Sequence, residues 1–145
     1  MPQLDRVNKA YDARLRKASK QITDSDLTDS DNAQTFDLDY DGAAFPAGAY
    51  VFGVRIAVAE KFSGGSASAV AVDVGDGTDG DAYVDGADVL SNPVDGEAAA
   101  ITAGIAPHKP CGGKTLKVTV NSTDDTLDNL TQGDMTVEVL FAVPE

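Results

Sequence analysis

From Thr35 onward the apolar residues of this chain recur at every second position, a period that commits a chain to strands. In TFDLDY, Phe36, Leu38 and Tyr40 alternate with Asp37, Asp39 and Asp41. GAAFPAG then reads as a turn. In YVFGVRIAVAEKF the expected core face holds Tyr50, Phe52, Val54, Ile56 and Val58; Val51, Gly53, Arg55, Ala57 and Ala59 take the other. FSGGSAS is a second turn, and ASAVAVDVG a further strand. KTLKVTVNS sends Leu116, Val118 and Val120 to one side, and MTVEVLFAV does the same with Val137, Val139 and Phe141. A weaker strand falls near residues 98–103. Five clear strands and about three weaker ones, with no helical stripe after residue 35, define an all-β chain, a sandwich or barrel. Its expected core is Phe52, Val54, Ile56, Val58, Val118, Val120, Val137, Val139 and Phe141, with Phe62 as a candidate cap.

A chain of 145 residues has room for one domain and one core. There is no tryptophan, and alanine and valine carry much of the apolar fraction, which suits thin sheets packed face to face. The net charge of −13 disfavours nucleic acid and anionic membranes as partners of the body. The apolar runs are too short to cross a bilayer as helices, and the polar first 30 residues read as no signal peptide.

Charge divides the chain. Residues 1–20 carry six bases against two acids, a net of +4, whereas residues 21–41 carry seven aspartates and no base. Leu4, Val7, Tyr11, Leu15 and Ala18 recur at helical spacing, so the first zone reads as a partly helical or extended arm. Residues 21–34, with their TDSDLTDSDNAQ run, read as a turn-rich spacer. The expected organisation is arm and spacer over residues 1–34 and a β-domain over 35–145.

The acidic stretch from Asp73 to Asp88 is the candidate for chemistry. Asp76, Asp79, Asp81 and Asp85 offer hard oxygen donors, and Gly75, Gly77 and Gly80 would let the backbone fold back. The terminal glutamate of an EF-hand is absent, and the nonapeptide repeat of β-roll calcium sites occurs once only. A solvent-facing inter-strand loop is the preferred reading, with no metal. No two of these acids stand out as a catalytic pair. GGKT at 112–115 lacks the first glycine of a phosphate-binding loop, position 108 being His108. Cys111 is the single cysteine and His108 the single histidine; both fall in PHKPCGG, read as a structural loop. No catalytic residue and no cofactor are expected.

The run from Tyr50 to Leu90, with its VGDGTDGDAYVDG segment after a strand, is similar to small β-rich virion proteins of tailed bacteriophages. So is the C-terminal KTLKVTVNSTDDTLDNLTQGDMTVEVLFAVPE, where Leu130, Thr131, Gln132 and Gly133 introduce the last strand. The resemblance is to capsid decoration, cement or head-stabilising proteins and related head-fibre bases, over about residues 34–143. It implies a jelly-roll-like antiparallel β-sandwich on the outer capsid surface, made in the host cytoplasm. It further implies a homo-oligomer, expected to be a trimer, that bridges major capsid proteins and needs no catalytic residue. The arm would be the strap, with Arg6, Lys9, Tyr11, Arg14, Arg16, Lys17 and Lys20 meeting the shell and Leu4, Val7 and Leu15 as apolar anchors. Fourteen spacer residues reach about 45–50 Å when extended.

Two other classes remain. A carbohydrate- or receptor-binding module of a fibre or tail would show exposed aromatics, for which Tyr40, Phe45 and Tyr83 are candidates. A secreted calcium-dependent adhesion module would rest entirely on the acidic loop.

Overall fold

The alternating segments become eight strands in a computed structural model, which describes residues 15–90 and 99–143. In chain order they are β1 (Leu15–Thr23), β2 (Ala33–Leu38), β3 (Tyr50–Ser63), β4 (Ala69–Gly75), β5 (Val84–Asp88), β6 (Ala99–Pro110), β7 (Leu116–Thr123) and β8 (Gln132–Ala142). They form two four-stranded sheets, ordered β1-β8-β3-β6 and β2-β7-β4-β5. Every neighbouring pair is antiparallel. Only the β4–β5 link stays within one sheet; every other connection crosses between them. That wrapping is a jelly roll, an all-β sandwich of two sheets.

The core is the interleaf between the sheets. Val54, Ile56 and Val58 from β3, Val118 and Val120 from β7, and Val137, Val139 and Phe141 from β8 are all buried. Val70, Val72 and Val74 of β4 close the opposite sheet, and Phe62 is fully buried in the same core. At one end Phe45 and Tyr40 pack on Phe141, with ring centroids 4.8 and 5.2 Å away.

The face assignment along β3 needs one correction. The register shifts between Val51 and Gly53, a β-bulge, so Val51 is buried while Tyr50 and Phe52 are only half-buried. One extra residue reverses which parity faces inward. Phe52 is therefore not a core residue.

The second correction concerns the N-terminal zone. From Leu15 the chain is neither helix nor free arm but strand β1, paired with β8 from Leu15 opposite Ala142 to Thr23 opposite Asp134. Ala18 and Ile22 point into the core, the spacing of a strand that the helical stripe concealed. The acidic run after it is bonded down, not a reach. Asp26 accepts from the Thr23 amide at 2.9 Å, and Leu27 is buried. The Gln34 side chain accepts from the Thr28 amide at 3.0 Å and donates to the Asp26 carbonyl at 2.9 Å. Asn32 donates to the Asp125 carbonyl at 2.9 Å. The PHKPCGG segment also divides: its first four residues end β6, and only the Cys111–Gly113 part turns.

Candidate interaction surface

The two sheets present different faces to solvent. On the β2-β7-β4-β5 sheet the polar side chains satisfy one another. The Thr35 and Thr119 hydroxyls lie 3.1 Å apart, and Lys117 pairs with Asp37. Asn121 donates to Asp73 at 3.0 Å, while the Gly86 amide donates to its other oxygen at 2.7 Å. Such a face is well solvated and offers little apolar area to a partner.

The β1-β8-β3-β6 sheet is built otherwise. The bulge that takes Phe52 out of the core delivers it to this outer face, with the Tyr50 ring 5.4 Å away. Across β8 stands Leu140, which is 45% exposed, the one large hydrophobic so exposed among the described residues. Gly53 lies opposite Leu140 in the register and adds no side chain between them. A trough of about 300 Å³ results, lined by Phe52, Leu140, Arg16 and Lys17. Glu138 is shared by Lys17 at 3.7 Å and Arg55 at 3.2 Å, so the rim has more positive than negative charge.

Of the residues expected to contact a partner, Arg16 and Lys17 are thus brought together here. Lys20 sits with its ammonium 6.0 Å from the Phe36 ring, at the edge where β1 lies beside β2. Arg6, Lys9, Tyr11 and Arg14, with Leu4 and Val7, lie outside the described residues. Leu140 was the residue missed. Its signal was present in MTVEVLFAV, where it occupies a solvent parity between Glu138 and Ala142.

The β4–β5 loop folds tightly at its base, the Asp76 amide donating to the Asp79 carbonyl at 2.9 Å. A Cβ on Gly75 would overlap the Asp79 and Gly80 backbone, so the chain folds back there as its glycine permits. Asp76 accepts from Lys114 at 2.8 Å and from the Thr78 and Asp79 amides at 2.8 and 2.7 Å. Those donors, Lys114 first, hold its carboxyl down to about 2. Asp79, Asp81 and Asp85 remain exposed. The Asp81 carboxyl is raised by its hydrogen bond with Asp79 and by the charges of Asp79 and Asp85. Asp76 is thus diverted from the other three candidates, and among the described residues no group of acids, histidines or cysteines converges as a metal ion requires.

Burial pushes the Cys111 thiol up to about 11, so it is protonated at neutral pH. Tyr83 is buried too, donating to the Pro110 carbonyl at 3.0 Å, and Phe45 is fully buried. With Tyr40 packed on Phe141, the aromatic residues expected of a glycan patch belong to the core instead.

The sequence matches no protein-family model and no curated protein. Its fold, however, is similar to solved chains of viral shells. A chain of the cyanophage Pam1 capsid asymmetric unit aligns with a TM-score of 0.59 and 16% identity, over 90% of this chain and 85% of that one. A chain of the acidic stable capsid structure of Helicobacter pylori bacteriophage KHP30 aligns with a TM-score of 0.59 and 19% identity, over 91% and 90%. At these identities the likeness is one of fold.

Proposed function

We propose that this chain is a structural protein of a tailed-bacteriophage virion. It decorates the outer capsid surface as a homo-oligomer, expected to be a trimer, and stabilises the shell by bridging major capsid proteins. The observation that carries this reading is the end-to-end likeness of its jelly roll to capsid chains of two phages, over 90% and 91% of its length. The unequal outer faces support it: one sheet is polar and self-satisfied, the other presents an apolar trough with a basic rim. The basic residues ahead of β1, Arg6, Lys9 and Arg14 with Tyr11, are assigned to shell contact. Repeated display on a symmetric shell multiplies such contacts.

The test is co-sedimentation of the purified chain with phage shells lacking it. Full-length protein should pellet with shells and raise their disruption temperature. A chain lacking residues 1–14 should keep its melting temperature and pellet at least about tenfold less well, a loss of about 1.4 kcal/mol. A full-length chain that ignores shells would overturn the reading.

A further inference from the structure

The chain repeats one chemically labile step, an aspartate followed by a glycine, at Asp41–Gly42, Asp76–Gly77, Asp79–Gly80 and Asp85–Gly86; Asp95–Gly96 lies outside the described residues. At such a step the glycine nitrogen can attack the aspartate side-chain carbon, because no side chain on the second residue obstructs the approach. The five-membered imide so formed reopens with water at either carbonyl. One opening restores aspartate; the other leaves isoaspartate, in which the main chain runs through Cβ and Cγ. The reaction needs a carboxyl that can lose its hydroxyl as water, an amide nitrogen free to attack, and donors for the charge that grows on the peptide oxygen as that nitrogen loses its proton.

The fold denies one of these to three of the four steps. The Asp76 carboxyl is committed to Lys114 at 2.8 Å and to the Thr78 and Asp79 amides at 2.8 and 2.7 Å, which keep it ionised. The Gly86 amide is engaged by Asp73 at 2.7 Å. Asp41 and Gly42, at φ of +54° and +74°, are clamped in a turn by Tyr40–Ala43 bonds of 3.0 and 3.1 Å. No backbone donor reaches the Asp41 carbonyl among the described residues. Asp79–Gly80 has all three. Its peptide is seated on Gly75, where a Cβ would overlap the Asp79 oxygen and the Gly80 carbon. The Asp79 carbonyl accepts from the Asp76 amide at 2.9 Å and from the Ala82 amide at 3.4 Å, two donors placed where the charge develops. The Gly80 amide donates to no partner among the described residues, and a Cβ on Gly80 would meet nothing within 4 Å. The Asp79 carboxyl is hydrogen-bonded to Asp81, which holds its own proton to higher pH beside Asp79 and Asp85.

We infer that Asp79–Gly80 is a self-modifying site, where the loop converts its own main chain to isoaspartate while the Asp76 and Ala82 amides hold the peptide oxygen and Asp81 supplies the proton. Asp81 passes its proton to an Asp79 carboxyl oxygen. The Gly80 nitrogen bonds to the Asp79 Cγ as that C–O bond breaks, and the amide proton leaves with the hydroxyl as water. Asp81 then takes a proton back from solvent. Water adds to the main-chain carbonyl carbon of Asp79, and the bond from that carbon to the Gly80 nitrogen breaks. No atom is gained or lost overall. The main chain is one carbon longer, and the carboxylate now stands on the Asp79 Cα. The reaction belongs to one loop of one copy, so it survives or fails separately from the capsid reading.

The test is to age the full-length protein at neutral pH and map its peptides by electron-transfer fragmentation, which separates isoaspartate from aspartate of equal mass. Isoaspartate should accumulate at Asp79 at least about tenfold faster than at Asp41, Asp76 or Asp85. It should also form faster at Asp79 in the fold than in the same chain unfolded in guanidinium, where the four steps become alike. Asp81→Asn, which cannot give up a proton, should slow the reaction at Asp79 at least about tenfold without lowering the melting temperature. Equal rates at the four steps of the folded chain, or an Asp79 rate no higher in the fold than in guanidinium, would overturn the inference. An unchanged rate in folded Asp81→Asn would remove Asp81 from it. The comparison of folded with unfolded chain uses the native sequence, so it decides the matter even where the variant fails to fold.

Discussion

At the scale of single residues, the loops are held by aspartates acting on backbone amides. Asp76 is one case, and its acid dependence has a definite sign. Its carboxyl titrates near 2 in the fold against an ordinary 3.8, so ionised Asp76 stabilises the fold at every pH above about 4. That contribution drains away as pH falls from about 4 to about 2. Asp76→Asn should therefore lower the melting temperature at pH 7, with the gap to the native protein closing toward pH 2. Asp125 is a second case, accepting from the Ser66 amide at 2.7 Å, the Thr126 amide at 2.8 Å and Asn129 at 2.7 Å. A third position is steric. Gly133 has φ of +150°, and a Cβ there would overlap the Phe62 ring, so Gly133→Ala should cost about 1–3 kcal/mol, read from the urea midpoint. The LTQG turn was visible as a pattern in the sequence, but its reason was not, because Phe62 reaches Gly133 from a strand about 70 positions away.

At the scale of elements, β1 shows how a short-range pattern misleads. Leu15 and Ala18 fit a helical stripe, yet Ala18 and Ile22 also share one face of a strand, and burial against β8 and β2 decides between the two. The consequence is measurable by truncation. Removing residues 1–14 should leave the sandwich intact, whereas removing residues 1–23 should yield unfolded or aggregated protein. The longer cut uncovers Ala18's and Ile22's side of the core and turns central β8 into an open edge. Ile22→Ala in the full chain should cost about 2–5 kcal/mol by denaturant unfolding. Strands β2, β3, β4, β7 and β8 were legible because alternation over six or more residues is a local property. β5 was not, since VDGAD has two apolar residues and a glycine and owes its place to the β4 ladder. The bonded acidic connection was equally hidden: its aspartates look the same in sequence whether they meet water or, as Asp26 does, a backbone amide such as that of Thr23.

At the scale of the whole molecule, the charge zones of the sequence become sides of a solid. The basic stretch reaches the sandwich at one edge through Arg16, Lys17 and Lys20, and the acidic loop projects at the other. A net charge of −13 repels identical copies in general, and the basic rim is the exception on this surface. The class of fold was readable from spacing, and the jelly-roll order from resemblance alone. The trough was readable from neither, because it depends on a bulge, a glycine and a leucine on three different strand positions meeting across the ladder.

That bulge has a consequence for how the protein can vary. The side on which Phe52 stands is set by a count, not by its identity. A substitution at residue 52 or 140 alters the outer surface and leaves the valines of the interior where they are. Loss of a single codon between Tyr50 and Gly53 would do the reverse, keeping nearly every residue while exchanging inside for outside along that end of β3. This outer face is therefore open to change by replacement and closed to change in length.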